Sequence, residues 1–162
     1  MDFTLLLEQS TMKKVTASQF LNAAKRGNVE VIKRYIDQGG DLEIIVNNEN
    51  KHTALLEASG FGKFEVVQLL LSAGANIEAR DSFSNTSLIL ASSYGRLEAV
   101  KVLVQFGANV KAEDKYGRTP LFWANFKHYD EIKSILEDPR GYLVKKQLEP
   151  TMNKVQKNSG IF

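Results

Sequence analysis

The stretch "DSFSNTSLILASSYGRLEAVKVLVQFGANVKAE", residues 81–113, is one complete unit of a pattern that recurs along the chain. Its threonine, Thr86, has counterparts at Thr53 and Thr119, each 33 residues away, and each begins a short apolar run. An earlier copy lies near the N-terminus, with two extra residues in its connection to the next copy. Recurrence at a period of this size indicates a solenoid of stacked structural units.

Each copy predicts a first helix with a defined start and end. The threonine at the start can accept a hydrogen bond from a backbone N–H of the first turn, and Pro120 stands where a missing N–H is harmless. Apolar residues follow at helical spacing, and small residues such as Ala91 allow neighbouring helices to approach closely. A glycine ends the helix because it adopts a left-handed conformation at little cost, at Gly27, Gly62 and Gly95.

A second helix begins almost at once in each copy. Around Val66, Val67 and Leu70 the apolar residues are too many for a single buried stripe, so we expect neighbouring copies to cover this helix on more than one side. Gly-Ala pairs end it, and polar turns lead to the next threonine. The predicted unit is therefore helix, turn, helix and projecting loop.

This unit resembles the ankyrin repeat. The family pattern of turn Asp, Gly, Thr-Pro-Leu-His, Ala-Ala, Gly-His, Glu-Val-Val, Leu-Leu-Leu and Gly-Ala-Asp is matched closely from Asp81 to Glu113. The resemblance implies an all-α ankyrin-repeat solenoid of stacked helix-turn-helix units with projecting hairpin-like loops. The expected organisation is an N-terminal extension (1–16), four repeats (17–47, 48–80, 81–113 and 114–139) and a basic C-terminal tail (140–162).

Some positions depart from the family pattern. The family's histidine is replaced by Leu56, Ile89 and Phe122, so we expect apolar contacts where the family makes a hydrogen bond. His128 stands in place of the glycine that ends the first helix. These substitutions leave the expected fold unchanged.

Both ends of the expected stack carry polar substitutions. Arg34 in the first copy, and Lys133 with Glu137 in the last, replace apolar residues of the middle copies, which predicts polar end caps. Pro139 and Gly141 are expected to end the last helix. We expect part of the tail to pack on the final repeat, residues from 151 onward to be mobile, and a short helix near the N-terminus to lie over the first repeat.

The composition excludes several classes of chemistry. There is no cysteine, hence no disulfide, thiolate metal site or thiol nucleophile. The N-terminus lacks the basic flank and apolar length of a secretory signal, and no apolar run is long enough to span a bilayer. We therefore expect a cytoplasmic protein, in its own cell or, since bacterial effectors also carry these repeats, in a host cell.

Groups for catalysis or metal binding are sparse. His52 and His128 lie two repeats apart, so they are expected to be structural or exposed, and Ser92 and Ser93 fall at small-residue packing positions. No phosphate-binding glycine loop is present. The sequence predicts no cofactor, no metal, no small-molecule substrate and no enzymatic activity.

The favoured function is binding of another protein, in a chain that is monomeric on its own. The resemblance implies a concave face formed by loops and first helices, and exposed aromatic side chains there have the properties of interface anchors. The alternative is that some of these rings fold inward onto neighbouring loops. The predicted contact residues are the aromatic Phe61, Phe83, Tyr94, Tyr116 and Phe126, with Arg80, Lys115, Arg118 and Lys127 as a charged rim. For Phe122 and Trp123, packing and contact both remain open.

Two other functions compete with it. The chain to Pro139 has a net charge of −2, whereas residues 140–162 carry +4, so the basic tail could bind nucleic acid or an anionic membrane. The repeats would then be a scaffold. The third interpretation, an enzyme with a site unlike any known motif, has no residue pattern in its favour.

Overall fold

The structure, a computed structural model, describes residues 14–45 and 49–147. Within those ranges it is all-helical and contains no strand, which confirms the predicted fold class. The helices are α1 (Ala17–Arg26), α2 (Val29–Asp37), α3 (Ala54–Gly60), α4 (Phe64–Ser72), α5 (Ser87–Ser93), α6 (Leu97–Gln105), α7 (Pro120–Phe126), α8 (Asp130–Glu137) and α9 (139–147). The predicted N-terminal helix before residue 14 and the predicted mobile tail from residue 151 lie outside the described residues.

Threonine side chains fix where the first helices begin. Thr53, Thr86 and Thr119 are extended, and each Oγ1 accepts a hydrogen bond from the backbone N–H three residues on, at 3.1 to 3.4 Å. Thr16 caps α1 in the same way, and its own N–H donates to Gln19 Oε1 at 2.9 Å. The 33-residue pattern misses this fourth cap because α1 has 10 residues, whereas α3, α5 and α7 have 7. Each such cap contributes about 1 kcal/mol.

Gly95 shows why glycine follows the first helices. Its φ of +67° is left-handed, and a Cβ at this position would lie 2.7 Å from the ring of Tyr129, at the start of α8. The position therefore requires a small residue as well as a flexible one. His128 occupies the equivalent place in the last repeat and keeps the conformation, with φ 58°.

The helices form two rows. The first helices α1, α3, α5 and α7 pack in succession, the second helices α2, α4, α6 and α8 do the same, and the two helices of each unit pack together. The second helices are covered on several sides, as the composition predicted, since Val66, Val67, Leu70, Val100 and Leu103 have no exposed surface. One continuous apolar core follows the stack. Contacts between neighbouring units therefore supply most of its stability.

Buried aspartates organise the projecting loops. Asp81 and Asp114 are only 8% and 5% exposed. Asp114 Oδ1 accepts hydrogen bonds from the backbone N–H groups of Tyr116 (2.8 Å) and Arg118 (3.0 Å), and Asp81 makes the equivalent pair in the preceding loop. Each carboxylate closes its loop from inside, which holds the loop tip in place.

A ladder of glutamates links the turns that follow the second helices. Glu43 Oε1 accepts a hydrogen bond from the backbone N–H of Asn76, and Glu78 Oε1 accepts one from Asn109, both at 2.8 Å. Each glutamate thus binds the next repeat. Lys111 occupies the equivalent position one repeat later, so the ladder stops there.

The chain after α8 corrects one prediction. Pro139 and Gly141 were expected to end the last helix. α8 does end at Glu137, just before Pro139, but a further helix, α9, begins at residue 139 and continues through Gly141 to residue 147, where the described part ends. Asp138 Oδ1 accepts a hydrogen bond from the Gly141 N–H at 2.9 Å, so Asp138 caps a new helix in which Pro139 occupies the first turn. Tyr142 packs against the core, and its hydroxyl accepts a hydrogen bond from Gln105 Nε2 at 3.2 Å.

Candidate functional site

The five predicted aromatic anchors are all exposed, at the ends of first helices and in the projecting loops. Phe61 and Tyr94 follow α3 and α5 at equivalent positions and are 45% and 58% exposed. Phe83 and Tyr116 lie at equivalent positions of successive loops, at 40% and 63%. Phe126 ends α7 and is 62% exposed. None of the five rings is buried in the core.

Two neighbouring grooves bring several of these residues together. The larger groove lies between α5 and α7, has a volume of about 390 Å³, and is lined by Phe83, Tyr94, Arg118, Trp123 and Lys127 among others. The smaller groove lies between α3 and α5, and its volume is about 180 Å³.

Leu90 and Tyr94 line both grooves, so the two grooves are adjacent. The smaller groove also contains Phe61, with Leu56 and Leu90. Phe126 lies outside the lining of both grooves. Phe61, Phe83 and Tyr94 therefore line the grooves, whereas Tyr116, in a loop, and Phe126, at the end of α7, lie outside both linings.

Cations lie over the aromatic rings of the loops. Lys115 Nζ is 4.0 Å from the ring centre of Phe83 and 4.9 Å from that of Tyr116. The guanidinium carbon of Arg118 is 4.5 Å from the ring centre of Tyr116 and 4.4 Å from that of Trp123. The backbone N–H of Lys115 also donates to the Phe83 carbonyl at 3.0 Å, which ties the two loops together. The predicted charged rim and the predicted rings thus form one surface in which cations and aromatic rings alternate.

Asp114 positions Arg118 within this surface. Arg118 Nε donates to Asp114 Oδ2 at 2.7 Å, and the carboxylate side chain has no exposed surface. Burial alone would raise the pKa of Asp114, but hydrogen bonds from the backbone N–H groups of Arg118 and Tyr116, with the guanidinium charge, hold this pKa below its ordinary value. The negative charge of Asp114 therefore interacts with the backbone N–H groups of its own loop and with the guanidinium of Arg118.

Arg80 has a different role from the other predicted cations. Its Nη1 donates to the carbonyl of Ser84 at 2.9 Å and to that of Glu113 at 2.7 Å, and these two carbonyls belong to successive loops. Arg80 lines neither groove. It braces the loops that carry the aromatic residues.

His52 joins two repeats at one wall of the smaller groove. Its Nδ1 lies 3.3 Å from Glu57 Oε1, and its Nε2 lies 3.3 Å from Asp81 Oδ2. The hydrogen bond with Glu57 raises the pKa of His52, and burial, which lowers it, has the smaller effect. His52 is thus structural, as the sequence indicated, whereas His128 is exposed.

Trp123 is the groove residue that sequence reasoning left unassigned. It stands 33 residues after Leu90, which in turn stands 33 residues after Glu57, and all three line the grooves. Because Glu57 occupies the first of these equivalent positions, the position is expected to reach the surface. The repeat register could therefore have identified Trp123 as a candidate groove residue.

Phe122 lies at the open end of the first-helix row. Its counterparts Leu56 and Ile89 have no exposed surface, as expected for apolar contacts between repeats, whereas Phe122 is 45% exposed. Its ring stacks on that of Phe126 at 6.0 Å and meets the edge of Trp123 at 5.7 Å. The expected apolar contact is therefore made within α7, because no further first helix follows it among the described residues.

The arrangement favours binding over chemistry. Within the described ranges no cluster of three or more His, Asp or Glu side chains is placed to hold a metal ion, and no helix there is both long and apolar enough to cross a bilayer. Ser92 is fully buried, and Ser93 Oγ donates to the carbonyl of Leu90 at 3.0 Å. The grooves instead offer rings, aliphatic side chains and cations.

Comparison with known families agrees with this architecture. The family model described as "Ankyrin repeats (3 copies)" matches residues 3–81 and 73–147. No curated protein matches the chain.

Proposed function

Because the chain belongs to the ankyrin-repeat family, whose repeats are generally protein–protein interaction modules, we propose that it is a non-catalytic adaptor or regulator that binds a partner protein through its concave face. The single observation that supports this proposal best is the row of exposed aromatic rings in and around two adjacent grooves. Rigid aromatic side chains offer a large contact area at a low cost in conformational entropy.

The scaffold around these rings supports the same proposal. Buried carboxylates close the loops, and Arg80 links successive loops, so the rings are carried on backbone that is already ordered. Preorganised contact residues lose less entropy when a partner binds. We further propose that binding takes place in the cytoplasm, which microscopy of the tagged full chain tests.

The first experiment compares partner capture by the wild-type chain and by a Tyr94→Ala/Tyr116→Ala variant. We expect each substitution to weaken partner binding by more than about 1 kcal/mol, because a large exposed ring is removed from the contact surface. The measurement is affinity capture from cell lysate, followed by titration of the captured protein.

A Phe64→Ala/Phe106→Ala variant is the matched control. Phe64 and Phe106 are 36% and 41% exposed, and they belong to the second-helix row rather than to either groove. Capture of the same proteins at unchanged affinity by the Tyr94/Tyr116 variant, or equal loss in the control, rules out this face as the binding site.

A further inference from the structure

We infer that the two adjacent grooves bind a linear, acidic segment of a partner protein, with an apolar side chain in the smaller groove and neighbouring carboxylates over the larger groove. This inference rests on the proposed function and names the chemistry of the partner. It is carried by the different character of the two grooves and by Leu90 and Tyr94, which line both.

The larger groove is cationic. Arg118 and Lys127 are the charged residues that line it, and both are positive. Lys115 lies beside it, over the ring of Phe83. The carboxylates bonded to groove residues, Asp81 and Asp114, are 8% and 5% exposed, so they present little negative surface to a ligand. Asp114 pairs with Arg118, which leaves Lys127 and Lys115 as the cations at this groove without a carboxylate partner among the described residues. This positive patch stands out in a repeat region whose net charge to residue 139 is −2.

Arg118 retains donors for a ligand. Within the described residues its hydrogen bond to Asp114 uses Nε, and its planar group lies between the rings of Tyr116 and Trp123. The side chain is 31% exposed, so it is accessible while its position is fixed. A guanidinium held in this way is suited to a carboxylate, because its remaining N–H groups need no further ordering.

The smaller groove is apolar where it is accessible. Leu56, Phe61, Leu90 and Tyr94 contribute to its walls. Its charged members are already engaged, since His52 pairs with Glu57 and the Nε of Arg96 donates to the carbonyl of Gly60 at 3.0 Å. At about 180 Å³ the groove is of a size for a single apolar side chain rather than for a helix face.

Leu90 and Tyr94 set the spacing of the two features in the ligand. Because these two residues line both grooves, the occupants of the two grooves lie next to each other. A partner segment therefore needs an apolar residue and its carboxylates close together in sequence. Complementary charge at such a site accelerates association and excludes basic segments.

The test is a selection of binders from an mRNA-displayed library of random linear peptides, with the full wild-type chain as bait. We expect enrichment of Asp and Glu next to a Leu, Ile, Met or Phe. A Lys115→Gln/Lys127→Gln variant should bind the enriched peptides about tenfold more weakly, because two exposed cations at the groove are neutralised. Neither forms an ion pair with a described carboxylate, and their contacts with aromatic rings make a check of the variant's folding by circular dichroism part of the test. Added salt should weaken the wild-type complex.

A Lys33→Gln/Lys111→Gln variant controls for net charge, since it removes the same charge from exposed positions outside both grooves. Enriched peptides that are neutral or basic, equal weakening by the two variants, or tighter binding of a single-stranded oligonucleotide at the same lysines would each overturn the inference.

The two proposals fail in different ways. Neutral peptides that lose binding in the Tyr94→Ala/Tyr116→Ala variant but not in the Lys115→Gln/Lys127→Gln variant leave the proposed function standing and remove the acidic partner. A library that yields no peptide sensitive to the tyrosine substitutions counts against both.

Discussion

At the scale of single residues, His52 makes an unusual pair of contacts. One ring nitrogen lies beside Glu57 of its own repeat, and the other lies beside Asp81 of the following loop. The charge of Lys25 reaches this cluster through Glu57, whose pKa it lowers. The two carboxylates favour the imidazolium form, in agreement with the raised pKa of His52.

The stability of the protein should therefore depend on this residue in a defined pH range. A raised folded-state pKa means that the stabilisation is fully present below the unfolded-state pKa of about 6.5 and is lost as the pH rises through the folded-state pKa. We expect the free energy of unfolding to fall by up to about 1 kcal/mol between about pH 6 and about pH 8, and this dependence to vanish in His52→Gln. Urea denaturation across this range measures it.

His128→Asn is the control for this experiment. His128 is exposed and has a positive φ, which asparagine tolerates. If His128→Asn removes the pH dependence, or if His52→Gln keeps it, the contacts of His52 are not its source.

At the scale of helices and loops, the sequence determined most element ends through local chemistry. Threonine caps and left-handed glycines act within one turn of chain, so Thr86 and Gly95 identify their helix ends without knowledge of the fold. The segment 139–147 could not be predicted in this way. Pro139 both ends one helix and starts another, and what decides between these roles is the Asp138 cap and the packing of Tyr142 on the core.

Gly95 and Gly39 provide a matched pair for testing the close approach between units. Their φ angles are nearly equal, at +67° and +68°, but a Cβ at Gly95 meets the Tyr129 ring, whereas a Cβ at Gly39 has nothing within 4 Å. Both alanine variants carry the left-handed strain of about 1 kcal/mol. We expect Gly95→Ala to be destabilised by a further amount of about 1–3 kcal/mol because the ring must move.

Chemical denaturation of both variants measures this difference. Similar free energies of unfolding for Gly95→Ala and Gly39→Ala would mean that the Tyr129 ring, at the start of α8, moves aside without an energetic cost. A larger loss in Gly39→Ala would contradict the proposed cause altogether.

At the scale of the whole molecule, the candidate site shows where sequence reasoning reaches its limit. Tyr94 and Tyr116 follow from the repeat register, because residues at the ends of first helices and at loop tips face the same side. The stacking of Arg118 on Tyr116 and Trp123 does not, since it depends on the side-chain conformations adopted where the loop runs into α7 and on the hydrogen bond from Arg118 to Asp114.

The linear arrangement also predicts a gradient of local stability. Among the described residues, the α1–α2 and α7–α8 units each pack against one neighbouring repeat, whereas α3, α4, α5 and α6 have repeats on both sides, so we expect the end units to open at lower free energy. We expect backbone amides of α5 and α6 to exchange with solvent slowest and those of α1 and α7 faster. Hydrogen exchange read by mass spectrometry tests this, and uniform protection along the chain would contradict it.

The glutamate ladder has a consequence for how such a stack limits its own length. Units that bind head to tail through one repeated contact can in principle add further copies without end, as open filaments do. Here an incoming copy would meet the ammonium group of Lys111 at the place where Glu43 and Glu78 supply a carboxylate. Lysine has no acceptor for the backbone N–H of a further repeat. The stack therefore cannot be extended into a polymer through this hydrogen bond.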